Sequence, residues 1–318
     1  NTQLTDEVTM TATGVSGVTD GGASISSQVD EVFTVEQCLY AIMVASANDI
    51  ALQIAEHVGG SVDGFVQQMN SRAQELGCTN TVFTNPTGLP DENQHTTAHD
   101  MALITKAAID NESFRAIAET TSYTIPATNV SGGERVLTNN FSMLNNTNAS
   151  YYQYCLGGRE GYTEASGSTL VCGAEKNGVS LIAVILQGAS GTTAAEAVSL
   201  LNYGFDNFQL LSLGDNDFDM ASGGNVFVPN GTTADALTTQ DGEVQDGQYN
   251  RQFLFNGTPV GTAVMSVTSP EEDTAVIEAS TQNLTNAQDY TVSHTSVPYF
   301  VIGGIGLLLL LLILFRIV

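Results

Sequence analysis

Lysine and tryptophan are what this sequence most lacks. There is no Trp, and the only lysines among its 318 residues are Lys106 and Lys176. With the arginines they make 8 basic residues against 34 acidic ones, a formal net charge of −26. No patch drawn from so few cations could neutralise a run of phosphates, which excludes nucleic acid as a partner, and the same deficit rules out adhesion to an anionic bilayer by charge. Charged residues total only 13%, while Thr, Ser, Asn and Gly are abundant, a surface suited to a protein outside the cytoplasm. The acidity does not imply disorder, because 42% of the residues are apolar, enough to build a packed core.

Chemical signatures are also missing. The sequence has no G-x-S-x-G elbow, no H-E-x-x-H, no C-x-x-C and no phosphate-binding glycine loop. The four histidines, His57, His95, His99 and His294, show no ligand spacing, so no metal is expected. Asn1 is not an initiator Met and no leader precedes it, which predicts a processed chain or one that begins inside a longer reading frame.

The length suits two domains. Residues 35–58 place Leu39, Ile42 and Met43 at helical spacing, break at Ser46-Ala47-Asn48-Asp49, and resume with Ile50, Ile54 and Val58, which predicts two helices around a polar elbow. A further helix is expected from Val62 to Leu76, stopped by Gly77, and another behind a capping box at Thr97 and Asp100, with an ordered loop over 84–93 between them. Ser168–Glu175 and Val179–Gln187 read as strands of a hairpin turned by Asn177-Gly178, with a helix over 194–208 packed on the sheet. The expected first domain, 1–208, is thus helices on an antiparallel sheet. Short strand-like runs at 225–228, 252–255 and 262–267 predict a small all-β domain over 209–290. A linker over 291–298 would then lead to an anchor over 299–318. Its apolar stretch Tyr299–Phe315 spans roughly 25 Å as a helix, at the short limit for crossing a bilayer. Arg316 after it favours a cytoplasmic end, leaving the main domains outside the cell. Two outcomes are open for the cysteines: a cross-strand disulfide between Cys155 and Cys172, roughly opposite each other around the 163–167 turn, or free buried thiols.

Two fragments carry chemistry. Ser46-Ala47-Asn48 interrupts two apolar helices, and Gly157-Gly158-Arg159-Glu160-Gly161 leads into the hairpin with a glycine-flanked backbone that could lie open at a sheet edge. In this order, and together with VEQCLYAIMVASANDIALQIAE, FTNPTGLPDENQHTTAHDMALI, GGREGYTEASGSTLV and LLNYGFDNF, they resemble the penicillin-recognising D-alanyl-D-alanine carboxypeptidases, serine peptidases that trim the stem peptides of bacterial peptidoglycan. The resemblance covers residues 1–208 and implies an α/β (α+β) transpeptidase or β-lactamase-like fold, peptidoglycan stem peptides as partners, β-lactams as inhibitors and no metal or organic cofactor, since a lysine base and an oxyanion hole of backbone N–H groups suffice. In that family Ser-x-x-Lys, Ser-x-Asn and Lys-Thr-Gly meet in one cleft. The resemblance therefore implies that Ser46 relays protons, that Asn48 binds the substrate backbone, and that Arg159, Glu160 and Gly161 hold the terminal carboxylate. The cation at a strand edge is also the simplest reader of such a carboxylate.

Two departures shape the expectation. No Ser-x-x-Lys occurs in the sequence, so nucleophile and base are both absent and the chain as given is expected to form no acyl-enzyme. Arg159 replaces Lys with a planar fork that still suits a carboxylate. Glu160 replaces Thr with a charge that, about 4 Å from the substrate's carboxylate, would repel it by roughly 1 kcal/mol in water and about 4 kcal/mol at an effective dielectric near 20, unless Glu160 turns away and pairs elsewhere. The expected function is a membrane-anchored serine-type D-Ala-D-Ala carboxypeptidase lacking its nucleophile motif. The alternatives are a non-catalytic peptidoglycan-binding surface protein and an unrelated single-pass adhesin.

Overall fold

A computed structural model describes residues 2–18, 22–214 and 220–266, with backbone alone for 220–223. The expected linker and membrane anchor lie outside the described residues. Among the described residues no helix is long and apolar enough to cross a membrane. The chain divides into two compact units, one reaching Gly204 and the other beginning at Phe205.

The first unit opens with β1 (Glu7–Thr9), α1 (Ala12–Gly17) and β2 (Val32–Thr34), with β1 and β2 paired antiparallel. α2 (Val35–Ala45) starts where Thr34 and Gln37 form a reciprocal capping box. α3 (Asn48–Gly59) follows after two residues. α4 (Val62–Glu75) is capped by the Ser61 side chain, and the chain leaves it through Gly77 at φ 84°. α5 (Ala98–Ile109) begins where the Thr97 side chain accepts from Asp100 N, but the reciprocal half of the expected box is absent. The Asp100 carboxylate instead accepts from Asn80 N and Thr81 Oγ1, tying α5 to the turn before the 84–93 loop.

After α6 (Glu112–Ala118), β3 (Ser122–Ile125) and β4 (Arg135–Thr138) form a hairpin that periodicity did not flag. β5 (Cys155–Thr163), β6 (Gly167–Lys176) and β7 (Val179–Gly188) make an antiparallel sheet in that order, with β5 at its margin, and α7 (Thr193–Asn207) follows. The β6–β7 turn is the predicted one: Asn177 and Gly178 both take positive φ, 54° and 77°. The core packs Leu39, Ile42 and Met43 of α2 and Ile50 and Ile54 of α3 with Phe33, Phe65 and Phe114, all essentially inaccessible to solvent.

The second unit contains β8 (Phe208–Ser212), β9 (Met220–Gly223), β10 (Asn225–Pro229), β11 (Leu237–Asp241), β12 (Gln248–Phe255) and β13 (Thr258–Ser266). β8 pairs with β10, and the other four form a sheet in the order β11-β12-β13-β9. Val226, Val228, Phe253, Ala263 and Met265 fill its small core.

All four cysteines are free thiols. Cys155 and Cys172 are not opposite each other: the register set at the 163–167 turn puts Cys172 across from Gly158, and Cys155, beyond a bulge, lies across from Ala174. Burial pushes the Cys155 thiol up to about 11, so it carries little thiolate at neutral pH.

Candidate active site

The elbow is built by the end of α2. Ser46 adopts a left-handed backbone at φ 54°, ψ 37°, its N–H donates to Ile42 O, and Ala47 N–H donates to Ala41 O at 3.3 Å. This double bond pattern closes a helix that needs a left-handed residue, a place usually given to glycine. Serine there costs about 1 kcal/mol of backbone strain and sets a hydroxyl at the turn. That hydroxyl is half-exposed and has no hydrogen-bond partner among the described residues.

Asn48 opens α3 and is buried. Its N–H and its Nδ2 both donate to Ala23 O, each at 2.9 Å. Asp49 beside it, also buried, accepts from Ser24 Oγ, Ile25 N, Ser27 N and Ser27 Oγ, the last at 2.7 Å. A carboxylate in the first turn suits the positive end of the helix, and here it also straps segment 23–27 across the elbow. Leu89 of the 84–93 loop reaches the same place, since a methyl group on Gly22 would lie 3.1 Å from Asn48 Nδ2 and 3.3 Å from Leu89 Cδ1.

Arg159 comes to the elbow from beneath. It lies on β5, is 7% exposed, and donates from Nη1 to Met43 O at 2.7 Å. Met43 O belongs to the last turn of α2, one of the carbonyls that the helix itself leaves without a partner. The buried Nε has no hydrogen-bond partner among the described residues. Burial brings the guanidinium down to about 10, with Glu160 pulling it back up, so it stays charged at neutral pH. The sequence suggested a cation open at the sheet edge, whereas the guanidinium faces inward, because position 159 falls on the inner side of the alternating strand.

Glu160 falls on the other side. Its Oε1 accepts from Ser142 N at 3.0 Å and Ser142 Oγ at 2.5 Å, so the carboxylate turns away from Arg159's bond to α2 and is held elsewhere. Glu160 and Gly161 line a cavity of about 450 Å³ with Ser142, Ser150 and Tyr162. Ser46, Asn48 and Arg159 are not among the residues that line it. The structure thus joins Arg159 to the helix that ends at Ser46 and separates Glu160 and Gly161 into a neighbouring hollow.

Ala23, Asp49 and Ser142 were not read from the sequence as members of the site. Asp49 had a signal, an acid in the first turn of a helix beginning at a polar elbow. Ala23 acts through its carbonyl and Ser142 lies 18 residues from its partner, and neither position leaves a local pattern. Among the described residues no group of three or more His, Cys, Asp or Glu is placed to hold a metal.

The sequence profile of the D-alanyl-D-alanine carboxypeptidase family matches residues 1–190. The chain is 33% identical over 193 residues to D-alanyl-D-alanine carboxypeptidase DacF of Bacillus subtilis, covering 59% of this chain and 47% of that protein. It is 32% identical over 209 residues to D-alanyl-D-alanine carboxypeptidase DacB2 of Mycobacterium tuberculosis, covering 63% and 69%. It therefore spans about half of the first relative and about two thirds of the second. Among solved structures, a D-alanyl-D-alanine carboxypeptidase from Mycobacterium tuberculosis superposes with a TM-score of 0.57 at 28% identity, covering 64% of this chain and 75% of that one. Penicillin binding protein 5 from Haemophilus influenzae superposes with a TM-score of 0.66 over 83% of each chain, a likeness of fold at 22% identity. The mixed α/β architecture is thus that of the penicillin-binding transpeptidase-like proteins.

Proposed function

Because this chain belongs to the D-alanyl-D-alanine carboxypeptidase family, we propose that its first unit is the recognition half of a serine-type carboxypeptidase that removes the terminal D-Ala from peptidoglycan stem peptides. The observation that carries the reading is the 2.7 Å bond from Arg159 to Met43 O. It fastens the marginal strand β5, where an extended peptide can add as a further strand, to the helix whose end presents the hydroxyl of Ser46.

In this reading Ser46 relays a proton between the leaving D-Ala nitrogen and the base, and Asn48 fixes the acyl backbone of the substrate. Arg159 supplies positive potential beneath the terminal carboxylate, and Gly161 offers backbone groups at the strand edge. Glu160, held by Ser142, is removed from the carboxylate it would otherwise repel. The step is acyl transfer: a serine attacks the penultimate carbonyl, D-Ala leaves, and water releases the shortened peptide. The 318 residues contain no Ser-x-x-Lys, so the reading assigns them binding and proton relay and assigns the attack to a serine they do not include. β-Lactams, which mimic the D-Ala-D-Ala terminus, are the corresponding inhibitors. The apolar run at 299–315 would anchor the protein with its two units outside the cell.

A second reading, a non-catalytic peptidoglycan-binding protein, is favoured by the inward turn of Arg159 and by Glu160. Incubation of the 318-residue chain with a fluorescent penicillin, followed by denaturing electrophoresis, tests the assignment of roles. No covalent label is expected. A labelled band would show that some serine within the chain is the nucleophile and that the division of roles is wrong.

A further inference from the structure

An asparagine two residues ahead of a serine or threonine is where a sugar chain can be joined to the side-chain amide of a protein outside the cytoplasm. Seven such triplets without an intervening proline fall among the described residues, and their geometry separates them. Asn129 and Asn230 spend Nδ2 on backbone carbonyls, Asp30 O and Asp206 O, each at 2.7 Å. Asn111 is half-buried where its Oδ1 caps α6. At Asn140 the hydroxyl two residues on, that of Ser142, is taken by Glu160. Asn148 Oδ1 accepts the N–H of Ser150. Asn256, in the β12–β13 turn at φ 51°, has no side-chain hydrogen bond among the described residues.

Asn145 differs from all six. Its Oδ1 accepts from Thr147 N at 3.0 Å and from Thr147 Oγ1 at 2.8 Å, a turn closed by the asparagine's own side chain. Both bonds draw Oδ1 back toward the chain, so in the planar amide Nδ2 points the other way, with no hydrogen-bond partner among the described residues. Asn145, Asn146 and Thr147 are all exposed. Thr87 Oγ1 makes the same bond to Asn85 Oδ1, but there Pro86 intervenes and Asn85 Nδ2 is committed to Leu89 O. Asn145 alone of the seven thus combines an exposed, uncommitted Nδ2 with a hydroxyl bonded to its own amide.

We propose that Asn145 is an N-glycosylation site. The donor is an oligosaccharide carried on a polyprenyl phosphate at the outer face of the membrane. Nδ2 bonds to the anomeric carbon, the bond from that carbon to the phosphate oxygen breaks, the polyprenyl phosphate leaves with the electron pair, and one Nδ2 proton passes to a base of the transferase. The N–H of Asn148 donates to Asn145 O, and Asn148 lines the hollow that holds Glu160, so the glycan is rooted at the rim of that hollow. The inference is independent of the carboxypeptidase reading and requires only that the first unit faces outward.

Mass spectrometry with electron-transfer fragmentation, on the full chain isolated from the membranes of its own cells, tests this. Cleavage after Arg135 and Arg159 releases peptide 136–159, which carries Asn140, Asn145 and Asn148 together, and fragmentation should place a glycan mass on Asn145. Thr147→Ala and Asn145→Gln, both at exposed positions of a turn, should each remove that mass, Thr147→Ser should keep it, and Asn129 and Asn230 should be unmodified in every form. A bare Asn145 overturns the proposal, as does a glycan there that survives Thr147→Ala, or glycans on Asn129 and Asn230. None of these outcomes bears on the carboxypeptidase reading, which penicillin labelling decides separately.

Discussion

Ser46 holds a left-handed backbone that glycine adopts without strain. Ser46→Gly should therefore raise the stability of the first unit by about 1 kcal/mol in urea denaturation while removing the hydroxyl on which the proposed relay depends. A variant that is more stable and still supports penicillin capture once a Ser-x-x-Lys segment is joined ahead of Asn1 would deny Ser46 its role. Glu31 shows the opposite balance. Burial alone would raise its pKa, but hydrogen bonds from Arg135, Thr128 and the backbone of Gln28 together bring it below the ordinary carboxylate range. The sign follows from linkage: a carboxyl whose pKa is lower folded than unfolded contributes stability above its unfolded pKa, and that contribution is lost as pH falls through the folded value. Arg135→Met would leave Glu31 buried and unpaired at a cost of about 3–5 kcal/mol. It should also flatten the acid limb of the stability profile, measured by chemical denaturation from neutral pH downward; an unchanged limb would mean that Glu31 does not set it.

At the scale of elements, β5 is positioned by a place where no side chain fits. Gly157 follows the bulge at φ 111°, and a Cβ there would lie 2.6 Å from Ala118 Cβ. Gly157→Ala should cost about 3 kcal/mol from strain and overlap together. Gly178→Ala, at an open turn with nothing within 4 Å of a new Cβ, should cost only about 1 kcal/mol. Equal losses in denaturant would show that contact with α6 does not fix the start of β5. The helices, the β6–β7 hairpin and the elbow were legible because each has a local signature: apolar positions at helical spacing, the Asn-Gly pair, a polar break between two apolar faces. The β3–β4 hairpin was not, because its strands are four residues long and Val136 faces solvent at 61% exposure, which leaves little alternation to detect. Cys155 and Cys172 were misjudged as opposite because the 163–167 turn already fixes Cys172 against Gly158, three residues from Cys155, and the bulge after Cys155 brings it only one position nearer, to Ala174.

For the whole molecule, 34 acidic against 8 basic side chains must repel one another in the folded state. Salt shortens the reach of that repulsion from about 30 Å at 0.01 M to about 3 Å at 1 M. The thermal midpoint should rise on going from the first condition to the second, and a fall would mean that attractive pairs such as Glu31–Arg135 dominate. The site was legible in its residue types and only partly in its geometry. Ser46, Asn48 and Arg159 were singled out by their fragments, but which way Arg159 and Glu160 face is decided by strand parity and by partners 116 and 18 residues distant, information that no local window holds. The central claim, that the Ser46–Asn48 elbow and the margin of β5 serve one acyl-transfer site, is tested most directly by joining a family segment bearing Ser-x-x-Lys ahead of Asn1 and following covalent capture of a fluorescent penicillin. Labelling of that serine, lost in Ser46→Ala and Asn48→Ala variants that remain folded, is the expected result. Absence of labelling in a folded chimera, or labelling indifferent to both substitutions, would contradict it.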